Sequence, residues 1–134
     1  MDIAELSPLQ QVEAIEQWIK DQPIQLEIET NHYFAGGIYE REIIVPSGAL
    51  ITGKIHLTEH LAKLVKGTMS IYSDGGTKTI TGPVTFVSQA GVKRLGYAHD
   101  ECVFSTFHNV GEVTDVEAIT KMLVIDSSKE LLEN

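Results

Sequence analysis

Residues 48–67 read GALITGKIHLTEHLAKLVKG, and whether this stretch is helix or strand decides the fold. As a helix, His56-Leu57-Thr58-Glu59-His60 is the H-x-x-E-H pattern in which two histidines one turn apart hold zinc and the glutamate acts as general base. Leu61, Leu64 and Val65 recur at helical spacing, Ala62 and Lys63 favour helix, and Gly67 can end one. As a strand, the same stretch sets Lys54, His56, Thr58 and His60 on one face, because the side-chain period is two. The helical reading also needs a third, acidic ligand and a substrate-binding lobe. A chain of 134 residues built mainly of short strands has little room for them.

The flanking sequence agrees with strands. Gly36-Gly37, Pro46-Ser47-Gly48, Asp74-Gly75-Gly76, Gly82-Pro83 and Gly91 separate short β-branched and aromatic runs: EREIIV, ALITGKI, TMSIYS, TKTIT, VTFVS and CVFSTFH. Their regular spacing predicts a sandwich or jelly roll, with a tight hairpin turn at Asp74-Gly75-Gly76. Ile24, Leu26 and Ile28 alternate with polar residues and predict a further half-buried strand. At the N-terminal end, Ser7, Pro8 and Gln10 form a capping box ahead of Leu9, Val12, Ile15 and Ile19, which predicts a helix over 8–20 with Trp18 packed on a sheet. At the other end, Thr114 and Glu117 read as a second capping box, opening a helix over about 115–132.

Composition narrows the function. One domain accounts for the length, and a single cysteine, Cys102, excludes an internal disulfide and suits a reducing compartment. No apolar run reaches the roughly 20 residues of a membrane helix. The acidic N-terminus lacks the features of an export signal, so a cytoplasmic location is expected, with no membrane partner. A net charge of −9 argues against a nucleic-acid partner, whose phosphate backbone demands a basic surface. It leaves room for a few cations converging in a cleft.

With Gly48, five residues, Lys54-Ile55-His56, three residues, His60, six residues and Gly67, the opening stretch resembles the first motif of the cupin superfamily in its spacing. Gly82-Pro83 through Gly91 to Arg94 is similar to the second motif with one extra residue. The resemblance covers about residues 33–110, and REIIVPSG, GPVTFVSQAGVKR and FSTFH are also similar to small cupin-like proteins of tailed bacteriophages. It implies a mainly β, single-domain jelly-roll barrel carrying the two terminal helices, and a homo-oligomer, dimer or higher. In this sequence Lys54 and His56 stand where a metal-binding cupin has its first two histidines, His60 stands at the glutamate and Arg94 at the last histidine.

Lysine and arginine offer a metal no lone pair at neutral pH, so the family's ligand set is degraded and the reading leans away from its metal enzymes; no cofactor is firmly implied, and a divalent metal stays open. The same four residues suit an anionic small molecule, phosphorylated or carboxylated: Lys54 as a point charge, Arg94 as a fork, His56 and His60 as donors. A nucleotide signal or sugar phosphate of an infected host is one such ligand. Tyr33 and Tyr39, with Phe34, are placed to stack on a planar ligand or to serve the core. The alternative is a metal-dependent isomerase or oxygenase using His56, His60 and His108, although the alternation of Val103, Ser105 and Phe107 turns His108 away from a core they define. A third reading is an interaction module with a filled barrel. Arg41 between Glu40 and Glu42 reads as a surface ion-pair cluster, Lys93-Arg94 with Tyr97 as a basic lip or solvated turn, His99-Asp100-Glu101 as an exposed loop, and Cys102 as a buried thiol.

Overall fold

The computed structural model describes residues 2–74 and 76–125. Helix α1 (Pro8–Lys20) begins at the capping box: the Ser7 hydroxyl accepts from Gln10 N at 3.2 Å, and Gln10 Oε1 accepts from Ser7 N at 3.0 Å. Val12 is fully buried. Trp18, expected on a sheet, instead stands 60% exposed. It lies one residue, about 100°, around the helix from Ile19, which is on the Val12 side. Polar ties complete the docking of α1: the Tyr72 hydroxyl donates to Gln11, and Thr52 Oγ1 donates to Glu16 Oε2 at 2.9 Å.

The strand expected at Ile24, Leu26 and Ile28 is absent. That segment follows the helix end irregularly, because the Gln25 amide donates to the carbonyls of Ile19 and Gln22 at 2.8 and 2.7 Å and binds the backbone to α1. Ile24 is left 87% exposed.

From residue 29 the chain is β structure: β1 (Glu29–Ala35), β2 (Ile38–Val45), β3 (Leu50–Thr52), β4 (Ile55–His56), β5 (His60–Lys66), β6 (Thr68–Ser73), β7 (Gly76–Thr81), β8 (Val84–Ser88), β9 (Leu95–Ala98) and β10 (Cys102–Asn109). All pairings are antiparallel. One sheet runs β1-β2-β10-β5-β8 and the other β3-β9-β6-β7. Between them lies a core of Ile43, Val45, Ala49, Leu64, Met69, Ala98 and Cys102, giving the expected mainly β jelly roll. Gly67 shows why the glycine spacing matters. It turns β5 into β6 at φ +94°, and a Cβ there would sit 2.4 Å from the Glu101 carbonyl oxygen.

The C-terminal helix is shorter than expected. Helix α2 (Val116–Leu123) is capped by Asp115, not Thr114, whose Oδ1 accepts from Glu117 N at 3.1 Å. It ends because Val124 and Ile125 form β11 (Val124–Ile125), which pairs with β4. The helical residues expected after 125 and the tail lie outside the described residues, as does Gly75 of the hairpin turn; Asp74 takes a positive φ of 49° there. Ile119 and Leu123 of α2 pack with Tyr39 and Val110 as a second small core. Among the described residues no helix is long and apolar enough to cross a membrane.

Candidate metal and anion site

Lys54 to His60 is not one continuous strand. A bend at 57–59 separates β4, held by β11, from β5, which pairs with β8 through His60 and Ser88. The bend turns His56 and His60 onto the same side, with ring centroids 4.2 Å apart. His108 joins them at 5.4 Å from His56 and 4.6 Å from His60. The expected outward aim of His108 is thereby corrected: on β10 it is Phe104, Thr106 and His108 that line the interior. One ring nitrogen from each histidine lies within 4.8 Å of the others, and among the described residues this is the group of His, Cys, Asp or Glu gathered closely enough to hold a metal ion.

Burial keeps these rings neutral. It lowers the His56 pKa to about 3, with His60, His108, Arg41 and Arg94 adding to the effect. It lowers that of His108 to about 4, helped by His60 and Arg41, and lowers that of His60 against a hydrogen bond to Thr58. That bond, 3.1 Å from Nδ1 to the Thr58 carbonyl, makes Nδ1 the donor and leaves Nε2 a free lone pair. His108 Nε2 lies 2.9 Å from Thr106 Oγ1, while its Nδ1 is buried with no hydrogen-bond partner. Neutral imidazoles are what a transition ion requires, and oxygen neighbours orient two of the three, His60 and His108, so the residues fit a metal.

The three histidines line a cavity of about 480 Å³ between the sheets. Arg94 reaches it from the segment before β9, donating to Ser88 Oγ with its guanidinium 6.0 Å from the Phe86 ring centroid. Arg41 lines it too. The sequence reading missed this residue by assigning it to the surface. The signal was the alternation of Tyr39, Arg41, Ile43 and Val45, which puts all four on the inner face of β2. Lys54 lines the cavity from the linker between β3 and β4 and is exposed there. Among the described residues the cavity lining includes no aspartate or glutamate, in a chain of net charge −9.

The other expected residues fall apart from this site or change role. Tyr39 is 3% exposed and lines the cavity, its hydroxyl 2.6 Å from His32 Nδ1 and its ring stacked on Phe34. Tyr33 has the opposite parity to Phe34 on β1, stands 50% exposed and lies outside the cavity lining. Lys93 is neither lip nor solvated turn. It is buried, its Nζ 2.8 Å from Glu16 Oε1 of α1. His99, Asp100 and Glu101 are exposed as expected, and His99 Nε2 meets Ser70 Oγ at 2.6 Å. Cys102 is the buried thiol expected, and burial raises its pKa.

No family model and no curated protein matches the sequence. Solved structures do. A cupin superfamily protein of Desulfitobacterium hafniense aligns with TM-score 0.54 and 6% identity, over 66% of this chain and 83% of its own. The fold is the cupin fold. The KdgF protein of a Halomonas species aligns over 66% of this chain and 85% of its own with TM-score 0.53 and 13% identity. Salicylate 1,2-dioxygenase of Pseudoaminobacter salicylatoxidans, in adducts with gentisate, aligns with TM-score 0.57 and 12% identity. There the match spans 86% of this chain and 32% of the dioxygenase. At these identities the likeness establishes the cupin architecture alone.

Proposed function

We propose that this cupin-fold protein is a metal-dependent protein acting on an anionic small molecule, with His56, His60 and His108 holding a divalent transition ion and Arg94, Arg41 and Lys54 attracting the anion. The observation that carries the reading is the convergence of three neutral imidazoles on one point of a cavity whose remaining charged lining is cationic. Three histidines suit zinc, iron, copper or nickel. A set of three protein ligands also leaves coordination positions open, as in catalytic rather than structural sites. Bound there, the ion would supply Lewis-acid polarisation of a ligand oxygen.

The sequence reading gave His56 and His60 to the anion. Their lowered pKa values favour the metal instead, since a neutral imidazole adds no charge against an anion. The arginines keep their charge at neutral pH and take that role. Among the structural neighbours, one is named a dioxygenase seen with gentisate, which is compatible with a metal-dependent reading and does not select a reaction.

The test is metal analysis of chelator-stripped protein titrated with Zn²⁺, Fe²⁺, Mn²⁺ and Ni²⁺. One equivalent of ion per chain is expected, lost in His56→Ala and in His108→Ala. Failure of every ion to bind stoichiometrically overturns the metal reading.

A further inference from the structure

The inner face of the five-stranded sheet carries a gradient of polarity along its strands. Register fixes its rows. Tyr39 of β2 is opposite His108 of β10, and His60 of β5 is opposite Ser88 of β8. Two residues along, Arg41 is opposite Thr106, Thr106 opposite Ala62, and Ala62 opposite Phe86. Two residues further, Ile43, Phe104, Leu64 and Val84 face one another in turn, with no polar side chain among them. The cavity spans these rows, bounded at the far end by Ile43 and Phe104 and across the gap by Ile51, Met69 and Ile71 of the other sheet. From the first row to the third is four residues, or roughly 13 Å of strand. Arg94 belongs to the polar end, because it bonds Ser88 there.

A cavity that is polar at the histidine end and faced by Ile43, Phe104, Ile51, Met69 and Ile71 at the other discriminates among anions. A nucleotide or sugar phosphate carries hydroxyls or ring nitrogens along its length, and those would lose their hydrogen bonds against Ile43, Phe104, Met69 and Ile71. We infer that the ligand is an amphiphilic carboxylate, its head group between Arg94 and the histidine cluster and its apolar body of one ring or a short chain lying toward Phe104 and Met69. This rests on the reading of the cavity as an anion site and departs from the phosphorylated ligands that the sequence allows equally.

The test is calorimetric titration of the whole protein with acetate, butanoate, hexanoate, octanoate and inorganic phosphate, in chelated protein and again after metal addition. Burying one methylene tightens binding about fourfold, so octanoate should bind roughly 250-fold more tightly than butanoate. Arg94→Gln should weaken every carboxylate, whereas Ile43→Thr should weaken octanoate more than acetate. Affinity that does not rise with chain length, or phosphate that binds as tightly as octanoate, overturns the proposal. The chain-length series in chelated protein needs no ion. It therefore stands or falls separately from the metal titration, and phosphate binding without a chain-length effect would spare the anion site while removing the amphiphile.

Discussion

Glu16→Leu tests how helix α1 is fastened to the barrel. Lys93 has a fully buried side chain whose ammonium lies 2.8 Å from Glu16 Oε1. At an effective dielectric near 20, that separation corresponds to an attraction of about 6 kcal/mol, set against the desolvation of both charges. Removing the carboxylate takes away the counter-charge 2.8 Å from the buried ammonium, which costs up to about 3–5 kcal/mol.

For a domain of this size the loss amounts to a fall in Tm of roughly 10 °C, read by circular dichroism at pH 7. A control separates charge from packing. Glu16→Leu combined with Lys93→Met should recover most of the loss, since an apolar pair replaces a buried ion pair at little cost. A Glu16→Leu protein that melts within 1 °C of wild type, or a double variant as impaired as Glu16→Leu alone, refutes the argument.

Three further outcomes are expected. Gly67→Ala should abolish soluble folding or lower Tm by more than 10 °C, because φ is +94° and the new Cβ meets the Glu101 carbonyl at 2.4 Å; a mild effect would show that the β5–β6 turn yields. In chelated protein, stability should be full above about pH 6.5 and fall toward pH 4. Folded His56 and His108 have pKa values of about 3 and 4, below the free imidazole value, so the unfolded chain takes up their protons first. His56 alone contributes about 2 kcal/mol of loss between pH 7 and 5, and His56→Gln should flatten the profile of Tm against pH, whereas parallel profiles would mean that the ring titrates as if in water. Arg41→Gln should weaken anion binding by about tenfold in calorimetry without lowering Tm, and unchanged affinity would return Arg41 to the surface role that its neighbours Glu40 and Glu42 suggest.

Much of the architecture was legible because local signals and tertiary packing coincide. The Ser7–Gln10 box and the glycines Gly36, Gly37, Gly48, Gly67 and Gly91 each demand a particular backbone, and each has it. The errors share a cause. Ile24, Leu26 and Ile28 alternate like a strand, yet nothing in that pattern says that the Gln25 side chain will bind the segment to the end of α1. Val124 and Ile125 suit a helix tail by pattern, yet an unpaired β4 edge takes them as a strand.

The site was half legible. His56 and His60 follow from motif spacing, but the bend at 57–59 that unites them, and the register that brings His108 beside them, are tertiary facts. Arg41 was hidden by its acidic neighbours, although the apolar alternation around it carried the correct parity all along.

Adjacent cations on one extended segment show how fold and site depend on each other. Val92 and Arg94 line the cavity, while Lys93 between them points the opposite way, into the contact with Glu16 of α1. Alternation along an extended chain requires that if one of two neighbouring side chains faces inward, the other faces outward. The buried Lys93–Glu16 pair and the Arg94–Ser88 contact thus hold neighbouring residues of one segment on opposite sides, which couples the docking of α1 to the aim of Arg94. Glu16→Leu should accordingly weaken anion binding severalfold although residue 16 does not line the cavity, and the added Lys93→Met change should restore affinity along with stability. If instead Glu16→Leu binds the anion as wild type does at a temperature where both are folded, Arg94 is held by Ser88 and the Phe86 ring alone, and α1 serves stability without positioning the site.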